Sequence, residues 1–388
     1  MNKNKKMEDF ILIIIRTDEL KDICSKILTA VDDSDSTIVT ETLQLKTFGN
    51  TLILSVTNKE YFVESRTTLT GDVGEFNATV NAKLFLKLMA QITTETIEFN
   101  AVENTLIVKG NGTYKIPLIF NGDTLLELPR IEIANPTVEM TVDSENLLSM
   151  LQYNSKELTK GAAVKPVQKM YYLDEKGCIT FTTGACVNNF TLEKPISILL
   201  NNKLVKLFKL FKDGKVNFTL GYDAISDDII QTKVRFENEN VTITSVLSCD
   251  DSLLRSVPVA GIRKRAEDLY ENQVNINKDA FIQTINRLLL FIENGTKEII
   301  RPFSKFEFKT SEVVIWDAKK ENCETVAYVG GDAKLPLYEV VLDLTDLKLT
   351  LESCSESYVT VKYGNGQAVV ITRGNVTNVI PEVNGVSR

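Results

Sequence analysis

Residues 10–28 read FILIIIRTDELKDICSKIL. The first seven form an apolar, β-rich run. Leu20, Ile23, Cys24, Ile27 and Leu28 then follow the i, i+3, i+4 spacing of one buried helical face, with Thr17 or Asp18 placed to cap it. The same strand-then-helix pair returns as TVEMTV and DSENLLSMLQ (137–152), and again as NQVNIN and KDAFIQTINRLLLF (272–291). From Asp18 to Asp143 is 125 residues and from Asp143 to Asp279 is 136. A long, nearly constant period marks a tandem repeat.

A second helix occupies a matching place in each copy: VNAKLFLKLMAQI (80–92), LNNKLVKLFKLF (200–211) and LDLTDLKLTLE (342–352). Each precedes alternating apolar and polar runs with hairpin turn signals such as Glu103-Asn104, Glu237-Asn238 and Gly364-Asn365-Gly366. Two helices cannot cover both faces of so many strands, so each copy is expected to be an α+β module with its helices on one side. Proline-bearing polar stretches at 127–136 and 258–268 place the joints. The expected modules are 1–133, 134–262 and 263–388.

Apolar content of 43% and charged content of 25% over 388 residues describe a soluble globular chain. Lys3, Lys5 and Lys6 precede the apolar run Phe10–Ile15, but that run is too short for a secretory signal or a membrane span, and Arg16 and Asp18 end it. A cytoplasmic protein without membrane association is expected. The six cysteines (24, 178, 186, 249, 323, 354) lack C-x-x-C spacing and read as reduced core residues. The chain has no histidine, which removes His-based triads, histidine general bases and the commonest metal ligand. No nucleophile elbow, P-loop or EF-hand pattern is present. Gly110-Asn111-Gly112 lies between two β-rich runs and opens no helix, so it reads as a hairpin turn rather than a phosphate loop. No catalytic residue, metal site or cofactor is expected.

Charge is distributed unevenly. The net charge is −8, yet Lys203, Lys206, Lys209 and Lys212 recur every third position with no acid until Asp213. The matching helix of the first copy carries Lys83 and Lys87 and no acid; that of the third copy carries Asp343, Asp346, Lys348 and Glu352. Lysines on one amphipathic helix are ordinarily a solvated face. Two acid-free helices at equivalent positions of an acidic chain point instead to a shared polyanionic partner. No RNP motif or zinc-finger spacing accompanies them, so sequence-independent phosphate contact is the expected mode.

Three α+β modules in tandem, with two helices each and a central lysine helix, resemble the bacterial DNA polymerase III β subunit, the sliding-clamp family. VNAKLFLKLMAQI…TIEFN…NTLIVKGNGTYKIPLI, CITFTTGACVNNF (178–190) and VTNVIPEV (376–383) carry the likeness. The resemblance implies a head-to-tail homodimeric ring around duplex DNA, tethering a replicative DNA polymerase and opened by a clamp loader. It implies that Lys83, Lys87, Lys203, Lys206, Lys209 and Lys212 face the DNA. It implies a partner-peptide pocket of Thr182, Gly184, Val187, Val257, Pro258, Val379, Ile380 and Pro381. It implies a dimer interface with Tyr114 and Ile116 on one subunit and Leu290 and Phe291 on the other. Thr183-Gly184-Ala185-Cys186 departs from the family's Asp, His and Arg, Glu382 stands where an apolar residue is usual, and the loop VDDSDST (31–37) is acidic where clamps carry a basic residue. The alternatives are a structural phage or surface protein of three β-rich modules, and an enzyme using carboxylates alone.

Overall fold

The computed structural model describes residues 11–31, 36–71, 74–160, 165–226, 229–247, 251–293, 302–317, 319–364 and 368–383. The N-terminal lysines, Phe10, most of the acidic loop 31–37, Cys249, Asn365 and Gly366 lie outside the described residues.

One succession of elements is run through three times. The first run is β1 (Ile13–Arg16), α1 (Thr17–Leu28), β2 (Thr42–Phe48), β3 (Thr51–Thr57), β4 (Tyr61–Thr68), β5 (Asn77–Asn81), α2 (Ala82–Gln91), β6 (Thr96–Val102), β7 (Thr105–Lys109) and β8 (Thr113–Pro117). A small hairpin, β9 (Phe120–Asn121) and β10 (Thr124–Leu125), follows. The second run is β11 (Pro136–Asp143), α3 (Ser144–Ser149) continued by a π-turn and α4 (Ser155–Glu157), β12 (Met170–Asp174), β13 (Gly177–Phe181), β14 (Ala185–Asn189), β15 (Ser197–Asn201), α5 (Asn202–Lys206), β16 (Lys215–Ser226), β17 (Ile229–Glu237) and β18 (Val241–Leu247). Helices α6 (Asp251–Arg255) and α7 (Val259–Glu267) lead to the third run. That run is β19 (Asn272–Asn277), α8 (Lys278–Glu293), β20 (Phe303–Lys309), β21 (Glu312–Trp316), β22 (Cys323–Asp332), β23 (Leu337–Asp343), α9 (Leu344–Glu352), β24 (Tyr358–Tyr363), β25 (Ala368–Arg373) and β26 (Val376–Pro381).

In every run the first strand pairs with the sixth, followed by the seventh and eighth, and the second to fifth strands form a second set; in the third run β19 also pairs with β22 and joins the two sets. The sets then join across runs. Strand β4 pairs antiparallel with β18, Phe62 opposite Thr244, and this completes an eight-stranded sheet. Strand β14 pairs likewise with β26, Ala185 opposite Val379, within a twelve-stranded sheet. The chain consequently forms two compact units, Met1–Ser144 with Leu207–Ser248, and Glu145–Lys206 with Cys249–Arg388, and the second run is shared between them.

Helix starts recur with the repeat. Asn81 accepts the Leu84 amide at 3.0 Å, Asn201 that of Leu204 at 2.7 Å, and Asp343 those of Thr345 and Asp346 at 2.8 and 3.1 Å. Each closes a strand and opens the helix that follows, satisfying amides that the first turn leaves over. Helix α1 differs from its expected cap. Arg16 precedes it without a side-chain cap, and Asp18 instead pairs with Arg16 at 2.6 Å.

In the first unit α1 packs on α2 and β4, burying Leu20, Ile23 and Ile27 against Phe85 and Met89. The expected helix over 200–211 is shorter than its apolar period suggests. After α5 the chain tightens to a 3₁₀ turn at Leu207–Leu210. Phe208 there meets Phe236 edge-on at 4.7 Å, and Phe236 meets Phe218 at 5.2 Å. The segment 127–136 is extended and held along this unit, with Arg130 3.1 Å from Glu64 and the Glu132 carbonyl accepting from Lys233 at 2.9 Å. In the second unit α8 packs on α9 over a core that includes Phe281, Phe306, Phe308 and Tyr363. The expected joint at 258–268 is no extended linker. It folds as α7, over a second core of Ile179, Ala185, Val187, Val370 and Val379.

Cys24, Cys178, Cys186 and Cys354 are buried free thiols, and Cys323 is exposed. Burial pushes Cys24 and Cys186 up to about 12, leaving them protonated and inert at neutral pH. No described helix is long and apolar enough to cross a membrane.

Phe236 joins the turn after α5 to the sheet. Phe236→Ala is expected to cost about 3–5 kcal/mol, read as a fall in the urea midpoint with the slope unchanged.

Candidate functional site

A cavity of about 270 Å³ opens in the second unit where three elements meet. The β13–β14 hairpin supplies Phe181 and its turn residues, β26 supplies Val379 and Pro381, and α7 supplies Ile262 and Arg265. The β14–β26 pairing fixes two of these walls. Successive residues of a strand face opposite sides, so Val379 and Pro381 turn toward the cavity while Ile380 enters the core of the third run. The lining is mostly apolar with one cationic head at its edge. That suits roughly two apolar side chains of a peptide better than a polar metabolite.

Gly184 sits at the tightest point. A Cβ there would lie 2.6 Å from the Val379 carbonyl oxygen and 3.5 Å from Glu157 Oε1, so the turn packs this closely only with glycine. Behind it lies a fully buried ion pair. Lys160 Nζ donates to Glu157 Oε2 at 2.7 Å, and the side chains are 2% and 0% exposed. Thr182 Oγ1 donates to Glu157 Oε1 at 3.0 Å and so ties the cavity wall to that pair.

Five of the eight pocket residues expected from sequence line the cavity: Thr182, Gly184, Pro258, Val379 and Pro381. The other three do not. Val187 lies in the core beneath α7, Val257 packs with Val167 and Leu199, and Ile380 faces the opposite side of β26. Sequence reasoning missed Phe181, Thr183, Ala185 and the α7 residues Gly261, Ile262 and Arg265. The stretch 258–268 reads in sequence as a proline-bearing polar joint. Yet Arg263 is buried and donates to Asp174 at 2.6 Å, freeing Ile262 to face the cavity.

The lysines sort cleanly from the core. Lys203 and Lys206 are exposed on α5 while Leu204 and Val205 are buried. Lys209 and Lys212 are exposed beyond it while Leu210 and Phe211 are buried. Lys212 lies 3.9 Å from Asp22 on α1, so part of its charge is offset. On α2, Lys87 is exposed and Lys83 half-buried.

Among the strand edges left open in the described residues, two bear on the expected dimer interface. Strand β8 ends the sheet β1-β6-β7-β8, with Tyr114 half-buried and Ile116 only 2% exposed. Ile116 therefore packs into its own unit, and what β8 leaves open is main chain. In β22, residues 323–327 pair with β21 on one side, and only residues 328–332 pair with β19. Arg287 of α8 donates to Glu324 at 2.7 Å, which sets the end of α8 against this strand. One turn on from Arg287, Leu290 and Phe291 are 53% and 50% exposed.

No model of a known protein family matches this chain, and no curated protein matches it. Solved structures do. A DNA polymerase sliding clamp from Bacillus subtilis superposes with a TM-score of 0.76 at 12% identity, covering 97% of this chain and 99% of that one. The DNA polymerase III β clamp of Pseudomonas aeruginosa bound to griselimycin gives 0.76 at 14%, covering 97% and 100%. The Helicobacter pylori β clamp bound to a DNA ligase peptide gives 0.73 at 14%, covering 96% and 100%. The chain has the α+β fold of the bacterial sliding clamps over almost its entire length.

Two glycines of the cavity should respond in opposite directions. Gly184→Ala is expected to destabilise by about 1–3 kcal/mol, since the new methyl meets main chain. Gly261→Ala, on α7 with nothing within 4 Å of its Cβ, should stabilise by about 0.5–1 kcal/mol. Equilibrium urea unfolding of both variants checks the pair of signs.

Proposed function

We propose that this chain is a sliding clamp: a non-catalytic processivity factor of three modules, 1–133, 134–262 and 263–388. Two copies close head to tail into a cytoplasmic ring around duplex DNA. The ring is opened by a clamp loader and tethers a replicative polymerase. The observation that carries the proposal is the repeated pairing of successive runs. The fourth strand of one run, β4 or β14, takes the last strand of the next, β18 or β26. By the same rule β22 of the last run and β8 of the first run, at opposite ends of the series, have no further run to pair with, although residues 328–332 of β22 pair with β19. A surface complementary to its own far end joins copies head to tail. Unpaired strand edges require cover. Exposed Leu290 and Phe291 beside β22 supply the apolar area of such a contact.

The lysines give the ring its cargo. Exposed point charges hold phosphates by Coulomb attraction without reading bases, which permits sliding, and the phenylalanines between them, Phe208 and Phe211, are buried. The apolar cavity gives the ring its partners. The P. aeruginosa and H. pylori structures carry griselimycin and a DNA ligase peptide; a peptide segment of a polymerase is the occupant proposed here.

The pairing rule also fixes a register. Counting from the first residue after its hairpin, β18 puts its third residue, Thr244, opposite Phe62, and β26 puts its fourth, Val379, opposite Ala185. Phe62, Ala185 and Cys323 are each the first residue of their strand to pair across the preceding hairpin. Starting from Thr113, β8 then sets Lys115 or Ile116 opposite Cys323. In a Cys249→Ser background, Lys115→Cys should form an intermolecular disulfide with Cys323 under mild oxidation, and Cys323→Ser should abolish it. A protein that remains monomeric by mass and uncrosslinked would remove the ring.

Loaded protein should stay on nicked circular DNA through a salt wash and leave once the circle is linearised. Replacing Lys203, Lys206 and Lys209 together by Glu should leave the dimer intact and abolish retention. Undiminished retention by the triple variant would refute the role given to these side chains.

A further inference from the structure

Helix α9 stands where the lysine helix stands in the second run, yet it carries three acids. Each has local work. Asp343 caps the helix, with burial raising its pKa. Glu352 lies 3.8 Å from Lys348. Asp346 Oδ2 accepts from Thr183 Oγ1 at 2.7 Å, and Thr183 is a wall residue of the cavity. One turn further, Thr350 Oγ1 accepts from Lys160 Nζ at 2.6 Å, and Lys160 holds Glu157, which accepts from Thr182. Thr350 Oγ1 in turn donates to the Asp346 carbonyl at 3.0 Å. Two consecutive wall residues, Thr182 and Thr183, are thus anchored to one face of α9, the first through a buried ion pair and the second directly.

We propose that Asp346 and Thr350 are positioning residues for the cavity: α9 sets the Thr182–Gly184 turn at the spacing a peptide side chain needs. The proposal rests on the peptide reading of the cavity only for its affinity arm. A buried ion pair tolerates little displacement, because separating its members leaves each charge unsolvated. Any shift of Thr350 therefore moves Lys160 and Glu157 together, and Thr182 with them. The anchors are side-chain hydroxyls and carboxylates, so conservative replacements separate them from mere packing. Serine at 350 keeps the acceptor and loses a methyl; valine keeps the shape and loses the acceptor.

The experiment uses the full chain with Thr350→Val, Thr350→Ser and, as the variant least able to disturb folding, Asp346→Ala. Hydrogen exchange of residues 181–185 reports the turn directly. It should quicken by about tenfold in Thr350→Val and Asp346→Ala and stay at the wild-type rate in Thr350→Ser. Binding of a fluorescein-labelled pentapeptide ending Leu-Phe, followed by anisotropy, should weaken by about tenfold in the same two variants and recover in Thr350→Ser. Unchanged exchange in both loss variants would overturn the positioning role. Exchange that quickens equally in Thr350→Ser would overturn it too, since packing alone would then explain the effect. A wild-type protein that does not bind the peptide would count against the cavity's proposed occupant, while the exchange arm still decides the role of α9.

Discussion

The structure depends on strands crossing from one repeat to the next. Main-chain hydrogen bonds between β4 and β18, and between β14 and β26, turn what would be separate small sheets into one of eight strands and one of twelve. A module standing alone would leave its fourth and eighth strands among its open edges, each a row of unsatisfied amides and carbonyls. Docking the next module removes one edge at each step. This is why the second run is divided between two compact units: its strands belong as much to their neighbours' sheets as to each other.

That junction also makes the cavity. The β14–β26 pairing brings a hairpin of the second run beside the C-terminal strand, and α7 covers the step between them. Gly184 lets the hairpin turn approach the Val379 carbonyl, and the Glu157–Lys160 pair supports it from behind. The lysines obey a different constraint. Their stems flank buried leucines and phenylalanines while their charged heads remain in solvent, so the arrangement that packs the core also displays the charge.

Much of this was legible in the sequence because period is a strong signal. The strand–helix recurrence at Asp18, Asp143 and Asp279 located three runs, and the apolar spacing of 278–291 located α8. Hairpin chemistry at Gly110–Gly112 placed β7 against β8, and Lys109 does pair with Thr113. The joining of sheets was not legible, since strand partners as far apart as Phe62 and Thr244, or Ala185 and Val379, leave no local mark. Helix α7 was not legible because a proline-bearing polar stretch reads as a joint whether or not it is helical, and only the structure shows Arg263 buried against Asp174. Ile380 was assigned to the cavity because a tail motif names residues without regard to alternation, and the pleat sends every second side chain the other way. The acids of α9 had no meaning until Thr183 was seen beside Asp346.

The open edge of β8 carries a consequence of its own. Because Ile116 points inward, the strand offers mainly backbone, and backbone pairs with little regard for the identity of its neighbour. In the proposed ring, angle rather than affinity then decides whether such ends meet in a closed pair or run on as a filament. The twist at the inner seams sets that angle, so a bulge or deletion far from the ends could turn a finite assembly into an endless polymer.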